Sequence, residues 1–356
     1  TDDPWGDRQE SLEIESFDDL VSQGLSFTRA PRMGFEYSNL GYALLGRIIT
    51  VTSGVDYLEF VANEIHAPLE MSSTTFHQSN VVPAQFVQGY AEFASGFVPE
   101  PLTIPGAFSP MGGLLSSVAD LAKWVAGFQS AWNESSLHPL QKWSRREMQE
   151  PQRHARTAAS HDDHANKIKS ITTSYAFGLM VDDDSILGRF VSHSGGYPGF
   201  GSHMRWHPAS GWGIVALGNR TYAPMVFAAS EALAMIVRDF VAPKIITESD
   251  VWQETAAAMS LVEKLITAWD DGIADENFAN NMDLDQPRSE RAAAIAGVVL
   301  GSSGVTRVPG SMTSNTPAHG KWLVSGESGL FELELLMSPT RPAKIQSLKV
   351  AKAPDE

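Results

Sequence analysis

A chain of 356 residues, 43% hydrophobic and 19% charged, has the makeup of a globular protein long enough for one large domain and a smaller one. Its formal net charge of −16 argues against nucleic acid and anionic membrane surfaces as partners. No apolar run approaches the roughly 20 residues that span a bilayer. With zero cysteines the chain has no disulfide, thiolate nucleophile or cysteine metal site, a composition that fits an exported and a cytoplasmic bacterial protein equally.

The first ten residues, TDDPWGDRQE, carry no initiator Met, no signal peptide and no opening strand or helix. They read as a loop entered in its middle, so either the chain is a processed product or its natural N-terminus is missing. Residues 15–25 and 38–66 are predicted helical. Inside the second, FEYSNLGYALLGRIITVTSG (35–54) sets Tyr42, Leu45, Ile48 and Ile49 at helical spacing as one buried face, with Gly54 where a C-terminal stop belongs. Tyr37, Ser38 and Asn39 stand side by side where this helix begins. Either Ser38 or Asn39 caps the helix, or the trio is a polar cluster held at its mouth for chemistry. GGLLSSVADLAKWVAGFQSAW (112–132) is a third helix, with Ser116 or Ser117 as cap and Asp120 in the first turn. Leu121, Trp124, Val125 and Phe128 form its apolar stripe. The segment 133–170 is polar and lacks strong periodicity; it is expected to be a helix followed by a long mobile surface loop, RHARTAASHDDHANK.

Strands follow. SYAFGLMVDDD, GRFVSHSGG and FGSHMRWHPASGWGIVALGNR are short runs rich in aromatic and β-branched residues, separated by turn residues. The last predicts a hairpin, His203 to His207 and Trp212 to Leu217 around a turn at 208–211, so the sheet should be antiparallel. Residues 223–241 return to a helix that packs on it. From about 246 the pattern restarts with one or two helices and then the strands GVTRV, GKWLVSGESGLFELELLMSP and AKIQSLKVAKA. The expected organisation is a large domain over 1–245 and a small α+β appendage over 246–356. The appendage shows no catalytic cluster; covering the cleft or mediating self-association is its expected role.

A second constellation lies at 191–201, VSHSGGYPGFG. A strand delivers His193, Ser194 and Gly195, and Gly196 lets backbone or ligand approach. Glycines at a strand edge can present N–H groups to an oxyanion, although a strand ending in a Gly-rich turn accounts for this segment alone. His161-Asp162-Asp163-His164 reads as a solvated loop rather than a metal site, since zinc wants three or four convergent ligands, and no metal or cofactor is expected. Trp206, His207 and Trp212 read as hairpin packing pairs.

In order and in intervening sequence, Tyr37-Ser38-Asn39, GGLLSSVADLAKW, YAFGLMV, His193-Ser194-Gly195 and GWGIVALGN resemble the serine β-lactamase and penicillin-binding family. The likeness covers residues 1 to about 241 and lies with the branch of class C β-lactamases, DD-peptidases, D-aminopeptidases and related esterases. Such enzymes carry three motifs, the first being Ser-x-x-Lys; in this branch the second is Tyr-x-Asn and the third is often His-x-Gly. The resemblance implies an α/β (α+β) fold with an antiparallel sheet flanked by helices plus a helical region. It also implies a set of roles. Tyr37 would exchange protons with nucleophile and leaving group. Asn39 would hold the substrate amide and orient a lysine. His193 would donate toward Tyr37 or a substrate carboxylate. Ser194 and Gly195 would line the substrate, and the Gly196 N–H would form half the oxyanion hole. His in place of Lys leans toward a peptidase, amidase or esterase rather than a dedicated β-lactamase.

No serine in the chain has a lysine three positions on. The expectation is therefore a serine hydrolase acting on a small-molecule or peptide-like amide or ester, with its nucleophile in an N-terminal segment that this chain lacks. The chain alone is then expected to be inactive. The rival is a non-catalytic binding homologue that kept the cleft and lost the nucleophile.

Overall fold

The computed structural model describes residues 6–240 and 249–353. The chain divides into two units, Thr1–Val241 and Ala242–Glu356; the break expected near residue 246 falls outside the described residues.

In the first unit α1 (Ile14–Ser22) is followed by α2 (Asn39–Ser53) and by α3 (Tyr57–Val61), which continues as a π-turn to His66. Ser38 has extended backbone and its Oγ accepts the Gly41 N–H at 3.0 Å, so it is the cap of α2. Gly54 ends the helix with a left-handed backbone, φ 72°. The face predicted as buried is not the one that packs. Ala43 and Gly46 are the buried residues of α2, Tyr42 and Ile49 are half-buried, and Leu45 and Ile48 are 52% and 55% exposed. The reason is steric. A Cβ on Gly46 would lie 2.1 Å from Pro110 Cγ, so the small-residue side of α2 admits the 104–111 loop, and Phe17, Ala43, Ala107 and Phe108 close a cluster there.

The hairpin of β1 (Tyr90–Phe93) and β2 (Gly96–Pro99) precedes α4 (Val118–Gln129). Ser117 Oγ accepts the Asp120 N–H at 3.2 Å. Asp120, itself buried, accepts from Ser73 N at 2.7 Å, Thr74 Oγ1 at 2.9 Å and Lys123 Nζ at 3.1 Å. Burial opposes its charge, but the Ser73 N–H and the Lys123 and Thr74 side chains outweigh it and hold the carboxyl below the ordinary range. Its stabilisation is therefore present at neutral pH and lost as pH falls through that lowered value. Ser117→Ala removes the cap alone and is expected to cost about 1 kcal/mol, read as a lower denaturant midpoint at unchanged slope.

After α5 (Lys142–Glu147) come β3 (Arg153–Asp162), β4 (Lys167–Tyr175), β5 (Met180–Asp184), β6 (Gly188–Tyr197), β7 (Phe200–His207) and β8 (Trp212–Gly218), and then α6 (Met225–Phe240). The six strands form one antiparallel sheet in chain order. The loop expected over RHARTAASHDDHANK is in fact the β3–β4 hairpin, paired from Arg153↔Tyr175 to Asp162↔Lys167. Most of β3 is solvent-exposed on both faces, so it never shows the apolar alternation by which a strand is read. Asp162 Oδ1 accepts the Ala165 N–H at 2.9 Å to set the turn, and its other oxygen takes Arg238. His161 meets Asp163 at 2.9 Å, and no group of metal ligands forms among the described residues. The hairpin predicted at 203–217 is present as β7–β8, and α6 packs on both strands. One face of the sheet joins α4 through Val125, Phe128, Leu179, Val191 and Trp206, with the Phe128 and Trp206 rings stacked at 5.3 Å. Phe190, Leu233 and Val237 join the sheet to α6.

The second unit contains α7 (Gln253–Leu265), α8 (Asp271–Asn277), α9 (Asn281–Asp285) and α10 (Arg288–Val298), then β9 (Val305–Arg307), β10 (His319–Gly326), β11 (Gly329–Met337) and β12 (Ile345–Lys352). Its strands form a four-stranded antiparallel sheet in the order β12-β11-β10-β9. Alternate residues Trp322, Val324, Phe331, Leu333 and Leu335 face Met259, Val262 and Leu265 in a core of their own.

Candidate active site

Tyr37 is the residue before the α2 cap, and its ring lies 6.3 Å from that of His193 on β6, tilted by 34°. The end of β4 adds a third ring, because Tyr175 meets Tyr37 edge-on at 6.1 Å and stacks obliquely on Phe35 at 4.8 Å. Tyr175 Oη contacts Tyr42 Oη at 3.4 Å. Burial first, and then the neighbouring phenols Tyr42 and Tyr37, hold the Tyr175 phenol protonated well above its ordinary range. A cleft of about 340 Å³ opens beside these rings, lined by Glu36, Tyr37, Ser38, Gly41, Tyr42, Leu45 and Tyr175. Asn39, half-buried, is the first residue of α2, one position beyond the cap.

Burial pushes the His193 imidazole below its ordinary pKa, against a smaller opposing pull from a Ser194 backbone hydrogen bond. The ring is therefore neutral at pH 7 and offers one N–H and one lone pair rather than a cation. Ser194 is directed otherwise. Strand alternation turns it to the face opposite His193, where its hydroxyl lies 2.8 Å from His203 Nδ1 on the paired residue of β7. His203 is 2% exposed, and burial followed by the nearby Arg205 and His193 lowers its pKa to about 4.

Gly195 and Gly196 leave bare backbone beside the rings. A Cβ on either would come within 2.3 Å of Ser202 Oγ or of the Tyr222 ring, respectively. The β5–β6 pairing ends at Met180↔Ser192, while β6 continues along β7 to Tyr197↔Phe200. From His193 to Tyr197, then, β6 is paired on one edge only among the described residues.

The structure thus brings Tyr37, Asn39, His193 and the Gly195–Gly196 backbone into one region of the first unit, and sends the Ser194 side chain elsewhere. Tyr175 was not singled out from the sequence, because a tyrosine in a strand of mixed pattern carries no local mark of its neighbours.

A profile of the Beta-lactamase family matches residues 2–237. The chain belongs to the beta-lactamase family. That family is of the serine-hydrolase type, and the chain resembles several of its members. It is 25% identical over 205 residues to a penicillin-binding protein of Bacillus subtilis (strain 168), a match that covers 56% of this chain and 43% of that protein. It is 30% identical over 190 residues to Protein flp of Staphylococcus aureus, covering 53% of this chain and 34% of the relative. The chain spans less than half the length of these curated relatives. Among solved structures, the octameric penicillin-binding protein homologue from Pyrococcus abyssi aligns with a TM-score of 0.53 at 19% identity, over 92% of this chain and 62% of that one. A penicillin-binding protein from Bacillus halodurans aligns with a TM-score of 0.50 at 22% identity, over 65% of this chain and 67% of that one. At these identities the two structures speak for a common beta-lactamase-family fold.

Proposed function

We propose that this chain carries the proton-transfer and substrate-orienting part of a serine hydrolase site for an amide or ester, and that a Ser-x-x-Lys segment upstream of Thr1 supplies the nucleophile. The observation that carries this reading is the meeting of Tyr37 and His193, from opposite ends of the first unit's sequence, at 6.3 Å beside a cleft. In the complete protein the serine Oγ attacks the carbonyl carbon and passes its proton to Tyr37. The collapsing tetrahedral adduct expels the amine or alcohol, which takes that proton. Water then repeats the sequence on the acyl-enzyme. Asn39 orients the substrate amide. The Gly196 N–H receives the oxyanion, and the open edge of β6 accepts an extended substrate backbone, Ser194 contributing through its main chain. A phenol with an ordinary pKa of about 10 is a poor base at neutral pH and needs a cation beside it. Neutral His193 does not provide one, so the charge falls to the lysine of the upstream motif.

A labelled penicillin tests the proposal. The 356-residue chain alone is expected to remain unlabelled, and the chain joined to an upstream Ser-x-x-Lys segment is expected to be acylated. The missing Ser-x-x-Lys also favours a second reading, a binding protein without a nucleophile. The intact mass of the natural protein separates them: a start at Thr1 with no companion segment selects the binder.

A further inference from the structure

A buried acid sits at the far end of β6, outside the cleft that Tyr37 lines. Glu10 is 1% exposed. One carboxyl oxygen accepts Ser109 Oγ at 3.1 Å; the other is hydrogen-bonded to Tyr197 Oη, which lies 2.7 Å from Thr103 Oγ1. The main-chain carbonyl of Glu10 accepts the Phe108 N–H at 3.3 Å. Space for the carboxyl exists because residue 113 is glycine: its φ is +79°, and a Cβ there would fall 1.9 Å from Glu10 Oε1.

Among the described residues no cation pairs with this carboxyl. Loop 103–113 carries no charged residue at all. Tyr197 is the titratable group facing Glu10 from β6, and on its own segment Arg8 is paired with Glu100 at 2.8 Å. Burial accordingly raises the pKa to about 7, the Ser109 hydrogen bond opposing only in part. A phenol has one proton, so the chain of hydrogen bonds has two directions. With Glu10 protonated, the carboxyl O–H donates to Tyr197 and Tyr197 donates to Thr103. With Glu10 ionised, Thr103 donates to Tyr197 and Tyr197 to the carboxylate. The second arrangement satisfies every hydroxyl but leaves an unpaired charge in a dry pocket. Because the folded pKa is raised, the stabilisation from this group is complete below its unfolded value near 4.5 and is lost as pH rises through about 7.

Tyr197 is the last residue of β6 and adjoins Gly196. We propose that Glu10 is a positioning residue whose protonated carboxyl, acting through Tyr197, fixes the Gly195–Gly196–Tyr197 end of β6, and that loss of its proton loosens this end. Its importance for catalysis rests on the hydrolase reading above; the clamp itself does not.

The test is hydrogen exchange by mass spectrometry on the 356-residue chain, with rates corrected for intrinsic base catalysis. Between about pH 6 and about pH 8 the protonated fraction falls roughly tenfold, so protection of peptides covering 194–198 should fall by about that factor relative to peptides from β4. Glu10→Gln keeps the hydrogen bonds without a titrating charge and should abolish this pH response; Tyr197→Phe should leave the segment weakly protected at both pH values. An identical pH response in Glu10→Gln and wild type overturns the proposal. Infrared spectra of wild type alone provide a check that no variant's folding can spoil: a carboxylic-acid carbonyl band present near pH 6 and lost through about pH 7 supports the clamp, and its absence near pH 6 refutes it. If the exchange response appears but the chain joined to Ser-x-x-Lys is not acylated, the hydrolase reading fails and the clamp stands.

Discussion

Tyr37→Phe, made in the chain joined to an upstream Ser-x-x-Lys segment, is expected to lower kcat for ester or amide hydrolysis by about a hundredfold to ten-thousandfold, the range for losing a general acid–base group. The substitution keeps the ring, and with it the contacts to His193 at 6.3 Å and Tyr175 at 6.1 Å, so only the hydroxyl is removed. KM should change little, because a group that acts on the proton in flight contributes to the transition state rather than to ground-state binding. The melting temperature should stay near that of the unsubstituted protein, since Tyr37 is only half-buried. The measurement is single-turnover acylation together with steady-state hydrolysis. A variant retaining more than about a third of wild-type kcat would assign proton transfer to another residue.

Trp322→Ala is expected to cost about 3–5 kcal/mol, confined to one of two unfolding transitions. We propose that residues 246–356 fold as a domain of their own, and Trp322 is the centre of that proposal. It is 1% exposed, its indole N–H donates to Glu263 Oε1 at 2.9 Å, and Glu263 also takes Arg307 at 2.6 Å. Truncation leaves a large cavity and strips Glu263 of a donor, so transfer, cavity and hydrogen-bond losses add. Calorimetry should show the second unit's transition shifted far down and the first unit's unmoved. Trp206→Ala, at the Phe128 stack, should do the reverse. A single transition displaced by either substitution would mean that the two units unfold as one.

What was legible in the sequence was local. The α4 cap, its first-turn acid and its stripe depend on residues within a turn or two of each other, and Ser117, Asp120, Val125 and Phe128 take the predicted places. The β7–β8 hairpin was readable because Pro-Ala-Ser-Gly interrupts two alternating runs. The family was legible because Tyr37-Ser38-Asn39 and His193-Ser194-Gly195 survive as short strings in the right order.

Other features needed neighbours distant in the chain. Periodicity marks α2 as amphipathic, but the close approach of Pro110 to Gly46 decides which side packs, and Leu45 and Ile48 are left outward. The β3 strand is largely solvent-exposed on both faces and owes its conformation to backbone pairing with β4, for which side-chain pattern gives no sign. Ser194 stands beside His193 in sequence, yet the two-residue period of a strand sends it to His203 on the other face. Glu10 looks like one more acid in a loop, and only the closure of loop 103–113 and Tyr197 around it makes it a buried carboxyl. The sequence by itself determined the caps at Gly54 and Ser117, the β7–β8 turn and the family, because those depend on dihedral preferences and side-chain periods within a few residues. The tertiary structure alone decided which faces are covered and which polar groups lose water, because burial depends on what packs against a residue from elsewhere in the chain.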